Sequence, residues 1–231
     1  MKKLKLDSEV LSGKIRIEEK TILDIGCGLG NLVRWMISKG GTAVGLDMPE
    51  MLAKVIRTDS ESNGRYVAGF AQNLPFKKCC MDAVVYFASL HHIPKTEILN
   101  ALKECHRVLK AKGRALIIEP VGRKGSYFEV VRLVEDEREI HRFAYSVIKS
   151  ANRIGLKMIE EEFVFFERKY QDYQKLIATF VEDRDEAKKV LSEAKEVYSR
   201  FAADRGVARR DFSFRSICRI NVLEKRGYKS I

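Results

Sequence analysis

Asp24 stands two residues before Gly26, Gly28 and Gly30 in the stretch T-I-L-D-I-G-C-G-L-G of residues 21–30, the most chemically specific spacing in the chain. Glycines at alternate positions let the backbone turn tightly beneath a ligand, because no Cβ blocks close approach. A carboxylate just ahead of them can pair with a cationic amino group lying across the loop, which suits a ligand carrying an ammonium better than a pyrophosphate. A dinucleotide fingerprint needs glycine or alanine five residues after its first glycine, and Asn31 holds that position here. The pattern therefore fails for NAD. Asp47 is the second carboxylate, placed where a strand-tip acid can accept both hydroxyls of a ribose. Met48 beside it offers an apolar, polarizable side chain for the face of an adenine.

These residues need strands and helices to hold them. Thr21, Ile22, Leu23 and Ile25 predict a short strand, Asn31 opens a helix carrying Leu32, Trp35 and Met36, and Gly40 with Gly41 ends it. Residues 42–47 read as a second strand, and Pro49 opens a helix carrying Met51, Leu52, Val55 and Ile56. Residues 65–70 and 82–87 read as the third and fourth strands. Pro94 starts a helix with Ile98, Leu102, Cys105 and Leu109 on one stripe, and 115–120 form the fifth strand. Strands alternating with helices imply a parallel α/β sheet with a ligand at the carboxyl ends of its strands. Further on, 143–154 predict a helix stopped at Gly155, 157–169 a sixth strand, and 185–205 an amphipathic helix. Alternation from Phe212 to Val222 predicts a last strand with one buried face.

The spacing of Asp24, Gly26, Gly28 and Gly30 resembles motif I of the class I S-adenosylmethionine-dependent methyltransferases. S-L-H-H at 89–92 and R-V-L-K-A-K-G at 107–113, running into A-L-I-I-E-P, resemble later stretches of that family, in which Ala111 and Lys112 replace the usual proline and first glycine. The likeness covers residues 21–120. It implies an α/β, Rossmann-like fold: a seven-stranded, mostly parallel sheet with helices on both faces, its last strand antiparallel and inserted between the fifth and sixth. Residues 171–210 are expected as a helical cap insertion between strands six and seven, where the family usually has a short hairpin. The chain is read as a single methyltransferase-like domain over 1–231, with a lead-in at 1–20, a cofactor-binding core at 21–120 and acceptor-side helices at 121–155. Tyr127, Phe128, Arg132, His141, Arg142 and Tyr145 are acceptor-side candidates by position alone.

The resemblance further implies S-adenosyl-L-methionine as cofactor and S-adenosyl-L-homocysteine as product. Asp24 would orient the amino acid portion, and Gly26, Cys27, Gly28 and Gly30 would form the backbone cradle. Asp47 would hold the ribose, and Met48 would lie on the adenine. Family members commonly carry an acid where this chain has Phe70, so adenine recognition falls to Phe70, Ala71 and Gln72. Phe87 closes the fourth strand, whose end borders both donor and acceptor. His91 or His92 either accepts a proton from the acceptor or caps the following helix, with His91 the candidate catalytic residue. A sulfonium already activates the methyl group, so few acid and base residues are needed.

Composition bounds the partners. A formal net charge of +11 admits anionic ligands, including RNA, but is equally compatible with a solvated basic surface. No pair among the five cysteines has zinc-knuckle or redox spacing, so no metal is expected and free thiols are. No run is apolar enough to span a membrane and no secretory leader is read, so no membrane contact and a cytoplasmic location are expected. A small-molecule acceptor is the leading expectation. RNA methylation and a non-catalytic, nucleoside-binding scaffold are the alternatives.

Overall fold

The computed structural model describes residues 2–4, 10–11, 13–58, 65–121, 126–132, 135–170, 175, 188–193, 195–196, 199 and 212–226. In chain order its elements are β1 (Lys2–Leu4), β2 (Thr21–Ile25), α1 (Asn31–Ser38), β3 (Thr42–Asp47), α2 (Pro49–Thr58), β4 (Arg65–Ala68), β5 (Met81–Phe87), α3 (Ile98–Val108), β6 (Leu109–Pro120), α4 (Ser126–Val131), α5 (Arg138–Ser150), β7 (Leu156–Tyr170) and β8 (Phe212–Lys225). The chain divides into two compact units. The larger comprises Leu6–Glu119, Phe143–Glu162 and Arg219–Ile231, and the smaller Met1–Lys5, Pro120–Arg142 and Phe163–Cys218.

Seven strands make a mixed, Rossmann-like sheet in the order β7-β8-β6-β5-β2-β3-β4. In the smaller unit β1 adds a parallel edge to the distal half of β7, with Lys2 opposite Val164 and Leu4 opposite Phe166. Strands β2 to β6 are parallel to their neighbours. Leu109 at the start of β6 accepts a bond from Lys225, whereas Val121 just past its end donates to Ile217. The last strand therefore runs opposite to β6, as the resemblance implies.

The chain steps from β2 outward to β3 and β4, then returns to β5 on the other side of β2. Right-handed crossovers place α1 and α2 on one face and α3 on the other. The strand order reverses between β2 and β5, and at such a switch point the loops diverge and leave a crevice at the carboxyl ends. The sheet interior is apolar. Ile22, Leu23, Val84, Leu116 and Ile117 are fully buried, each contributing roughly 1.5 to 3 kcal/mol. From α3 the expected Ile98, Leu102 and Cys105 are buried, but Leu109 is not on the helix: α3 ends at Val108, and Leu109 is buried as the first residue of β6.

Some boundaries differ from expectation. Pro94 does not begin α3; its carbonyl accepts from Glu97 N in a separate turn, and the helix starts at Ile98. β4 ends at Ala68, and Phe70 stands beyond it in an isolated bridge with Asn73. The last strand is buried on both faces from Ser216 to Leu223, not on one, because β8 lies inside the sheet between β6 and β7. The expected cap at 171–210 lies almost wholly outside the described residues.

Candidate functional site

The glycine loop leaves β2 at the switch point, within the larger unit. Gly26 N and Cys27 N both donate to the Leu46 carbonyl, at 2.8 and 3.2 Å, and Gly30 N donates to Cys27 O at 2.9 Å. Gly26 and Gly30 take φ of 73° and 74°, in the left-handed region that side chains adopt only with strain. A Cβ on Gly26 would sit 2.5 Å from Ser89 Cβ, and one on Gly30 would overlap the Tyr66 hydroxyl. Gly28 is different: nothing lies within 4 Å of where its Cβ would be. Two glycines thus let neighbouring strands close on the loop, and the middle one faces open space.

The two carboxylates beside this loop have contrasting surroundings. Asp47 Oδ2 accepts from Gly28 N at 2.8 Å and its Oδ1 from Met48 N at 2.8 Å, so the acid fastens the loop it borders. Asp24 is 2 % exposed, and its Oδ1 has no hydrogen-bond partner among the described residues. Burial, reinforced by the charge on Asp47, pushes the Asp24 carboxyl up to about 7. Burial likewise drives the Cys27 thiol up to about 12, with Asp24 and Asp47 adding to it, so Cys27 is a packed, unreactive thiol.

At the adjoining tips of β3 and β4, Met48 and Phe70 are the exposed apolar pair, at 49 % and 53 %. Gly69 N donates to Asp47 O at 3.1 Å, holding the two tips together. Ala71 is buried and Gln72 half-buried. The segment that follows is clamped to α3. Arg107 donates to the carbonyls of Leu74 and Phe76, and Glu104 accepts from Leu74 N and pairs with Arg107.

Beyond β5, Phe87 is half-buried, and Ala88 takes φ of 49°, a conformation a non-glycine residue holds only under constraint. Ser89 Oγ donates to Ile25 O at 2.6 Å and ties this end to the glycine loop. His91, buried, meets Glu119 through Nδ1 at 2.5 Å, and the other Glu119 oxygen accepts from Leu90 N at 2.9 Å. The Glu119 carboxylate thus holds the imidazole by Nδ1 and the backbone just before it by Leu90 N.

The structure therefore gathers Asp24, the loop glycines, Asp47, Met48, Phe70 to Gln72, Phe87 and His91 along the carboxyl-end rim of one sheet. Ser89, Tyr66 and Glu119 were not picked out by sequence. A lone acid ending the apolar run A-L-I-I-E was the available signal for Glu119; Ser89 and Tyr66 carry none. Of the acceptor-side candidates, Phe128 and His141 pack edge to face in the smaller unit. Tyr145, in the larger unit, hydrogen-bonds Glu161 and lies under Arg219 at 3.5 Å, engaged in packing of its own.

Residues 23–117 match the family model of the methyltransferase domain. The whole chain shares its fold with class I methyltransferases. A protein of Bacillus halodurans C-125 superposes with a TM-score of 0.68 at 19% identity, over 96% of this chain and 99% of the other. A SAM-dependent methyltransferase of Methanosarcina mazei gives a TM-score of 0.61 at 14% identity, over 96% and 99%. By sequence, the demethylmenaquinone methyltransferase of Lactococcus lactis is 32% identical over 106 residues, 43% of this chain and 41% of that protein. The chain spans about half the length, or less, of the curated relatives it matches. No described helix is long and apolar enough to cross a membrane.

Proposed function

We propose that the chain binds S-adenosylmethionine at the glycine loop and transfers its methyl group to a small-molecule acceptor. One observation carries this reading: a buried carboxylate oxygen on Asp24 without a partner, next to a loop whose central glycine opens outward. An unpaired buried acid is costly, and a cationic ligand relieves the cost. The donor set thus fits an amino acid carrying an ammonium and a ribose. Asp24 takes the ammonium, Asp47 takes the ribose through the lone pairs its backbone donors leave, and the glycine loop lets the ligand lie close against the backbone. Met48 and Phe70 cover the adenine, with the Ala71 backbone and Gln72 at its polar edge and Phe87 bordering the reacting side.

When bound, the sulfonium supplies an already activated methyl group. The residues of this chain then have two tasks, alignment and control of one proton. His91, held by Glu119, accepts the acceptor's proton on Nε2, and Glu119 steadies the imidazolium that forms. Relatives named for demethylmenaquinone favour a small aromatic acceptor over RNA. Titration calorimetry with S-adenosylmethionine and S-adenosylhomocysteine tests the binding half: both are expected to bind, and binding of neither would overturn it. Transfer of labelled methyl groups from the cofactor into cell extract tests the other half. Label that survives nuclease and partitions into solvent is expected; label lost on nuclease treatment would replace the small acceptor by RNA.

A further inference from the structure

At the amino ends of the same strands, roughly 20 Å from the glycine loop along β5, lies a second concavity. It is a cleft of about 490 Å³ in the larger unit, within the size range of small-molecule sites. Arg16, Lys20, Lys110, Lys112 and Arg114 line it, against the carboxylates of Asp82 and Glu224. Asp82 holds Lys110 at 2.8 Å and Lys20 at 3.9 Å, Glu224 lies 3.6 Å from Arg114, and the exposed Glu19 lies 3.3 Å from Arg16, a solvated pair of small worth. The cations outnumber the acids, and their side chains stand part-exposed at the rim, as for an incoming anion.

The backbone here is also built for the purpose. The pairing of β5 with β6 jumps from Met81–Leu109 to Ala83–Arg114, so residues 110–113 bulge out opposite Asp82. Gly113 sits where a Cβ would press on the carbonyls of Lys110 and Asp82, at 2.9 and 3.0 Å. Lys112 takes φ of 61°, which glycine adopts freely and lysine only under strain. It has no carboxylate partner among the described residues. Strain kept at a position that places an uncompensated ammonium in a cleft points to use of that ammonium.

We infer that this cleft binds the phosphate chain of a small ligand, two or three linked phosphates, at a site separate from the glycine loop. Asp82 keeps Lys20 and Lys110 in place, and Lys112 and Arg16 reach the ligand from the rim. The inference stands apart from the methyl-transfer reading, and its readout involves neither cofactor nor acceptor.

Calorimetry on the full chain at 0.15 M salt, with pyrophosphate, tripolyphosphate and ATP as probes, tests it. At least tripolyphosphate is expected to bind, and Lys112→Gly is expected to weaken it by about tenfold, one charge-assisted contact. The same substitution relieves the backbone, so its melting temperature should rise, which separates lost binding from lost folding. Arg16→Gln provides a second variant away from the bulge. Equal affinity for ATP and tripolyphosphate would assign recognition to the phosphates alone; tighter ATP binding supports the site where Lys112→Gly weakens it, and ATP binding that neither variant alters belongs to the glycine loop and counts against the site. Three results overturn it: no binding of any probe, affinity unchanged in both variants, or binding of a single-stranded RNA oligomer with none of the three anions bound.

Discussion

The two ends of the parallel sheet handle charge in opposite ways. At the carboxyl ends a single unpaired carboxylate is sunk 2 % exposed beneath a glycine loop, and the exposed groups around it, Met48 and Phe70, are apolar. At the amino ends the charges are many, cationic, part-exposed and partly paired. A buried lone charge acts strongly at short range and selects one ligand of opposite sign, whereas clustered exposed charges act in high dielectric and grade ligands by total charge. One rim is therefore suited to a cation held without water, the other to an anion held in it.

Substituting Asp24 should break this contrast most visibly. Asp24→Asn is expected to weaken S-adenosylmethionine by about a hundredfold or more, the loss of a desolvated charge pair, while raising stability at pH 8 by roughly 1 to 3 kcal/mol. Calorimetry and thermal melts on one preparation check both directions together; a variant that loses affinity and stability in parallel would make Asp24 a structural acid. Gly26→Ala should destabilise the fold by roughly 2 to 3 kcal/mol, since its Cβ meets Ser89 and its φ is positive. Gly28→Ala, with open space around it, should cost about 1 kcal/mol in chemical denaturation and act mainly on cofactor affinity.

Glu119→Gln should lower the rate of methyl transfer by about tenfold and displace its pH profile, with cofactor affinity unchanged in calorimetry. A flat response would reduce His91 and Glu119 to a helix-capping pair.

Proton linkage sharpens the comparison further. The Asp24 carboxyl titrates near 3.8 when unfolded and about 7 when folded. Between those values the folded state binds the extra proton, so stability is full below the lower value and falls as pH rises through the upper one. Only the ionised form attracts an ammonium, so cofactor affinity should rise by up to about tenfold from pH 6 to 8, and this slope should vanish in Asp24→Asn. The smallest effect expected is that of salt. Raising it from 0.05 to 0.5 M should change cofactor affinity less than about twofold and weaken tripolyphosphate several-fold, since screening reaches exposed charges and not buried ones.

The linear order of residues already contains the strand–loop–helix at 21–38, because apolar residues, glycines and polar breaks are local signals read from adjacent positions. It placed Asp24 and Asp47 at strand tips for the same reason. The reversed last strand and its place between the fifth and sixth followed from family likeness, not from periodicity, and the order of the other strands is seen only in the folded sheet. Four features arise on folding alone: Asp24 is buried with its Oδ1 unpartnered among the described residues, Asp47 fastens the glycine loop, Ser89 fills the space a Gly26 side chain would need, and Glu119 reaches His91. Each is a contact between segments distant in the chain, and such contacts form only when the sheet assembles. The amino-end cleft is of the same kind: Arg16, Asp82, Lys112 and Glu224 are unremarkable surface charges in the sequence, and a shared concavity arises only because parallel strands bring all their amino ends to one side.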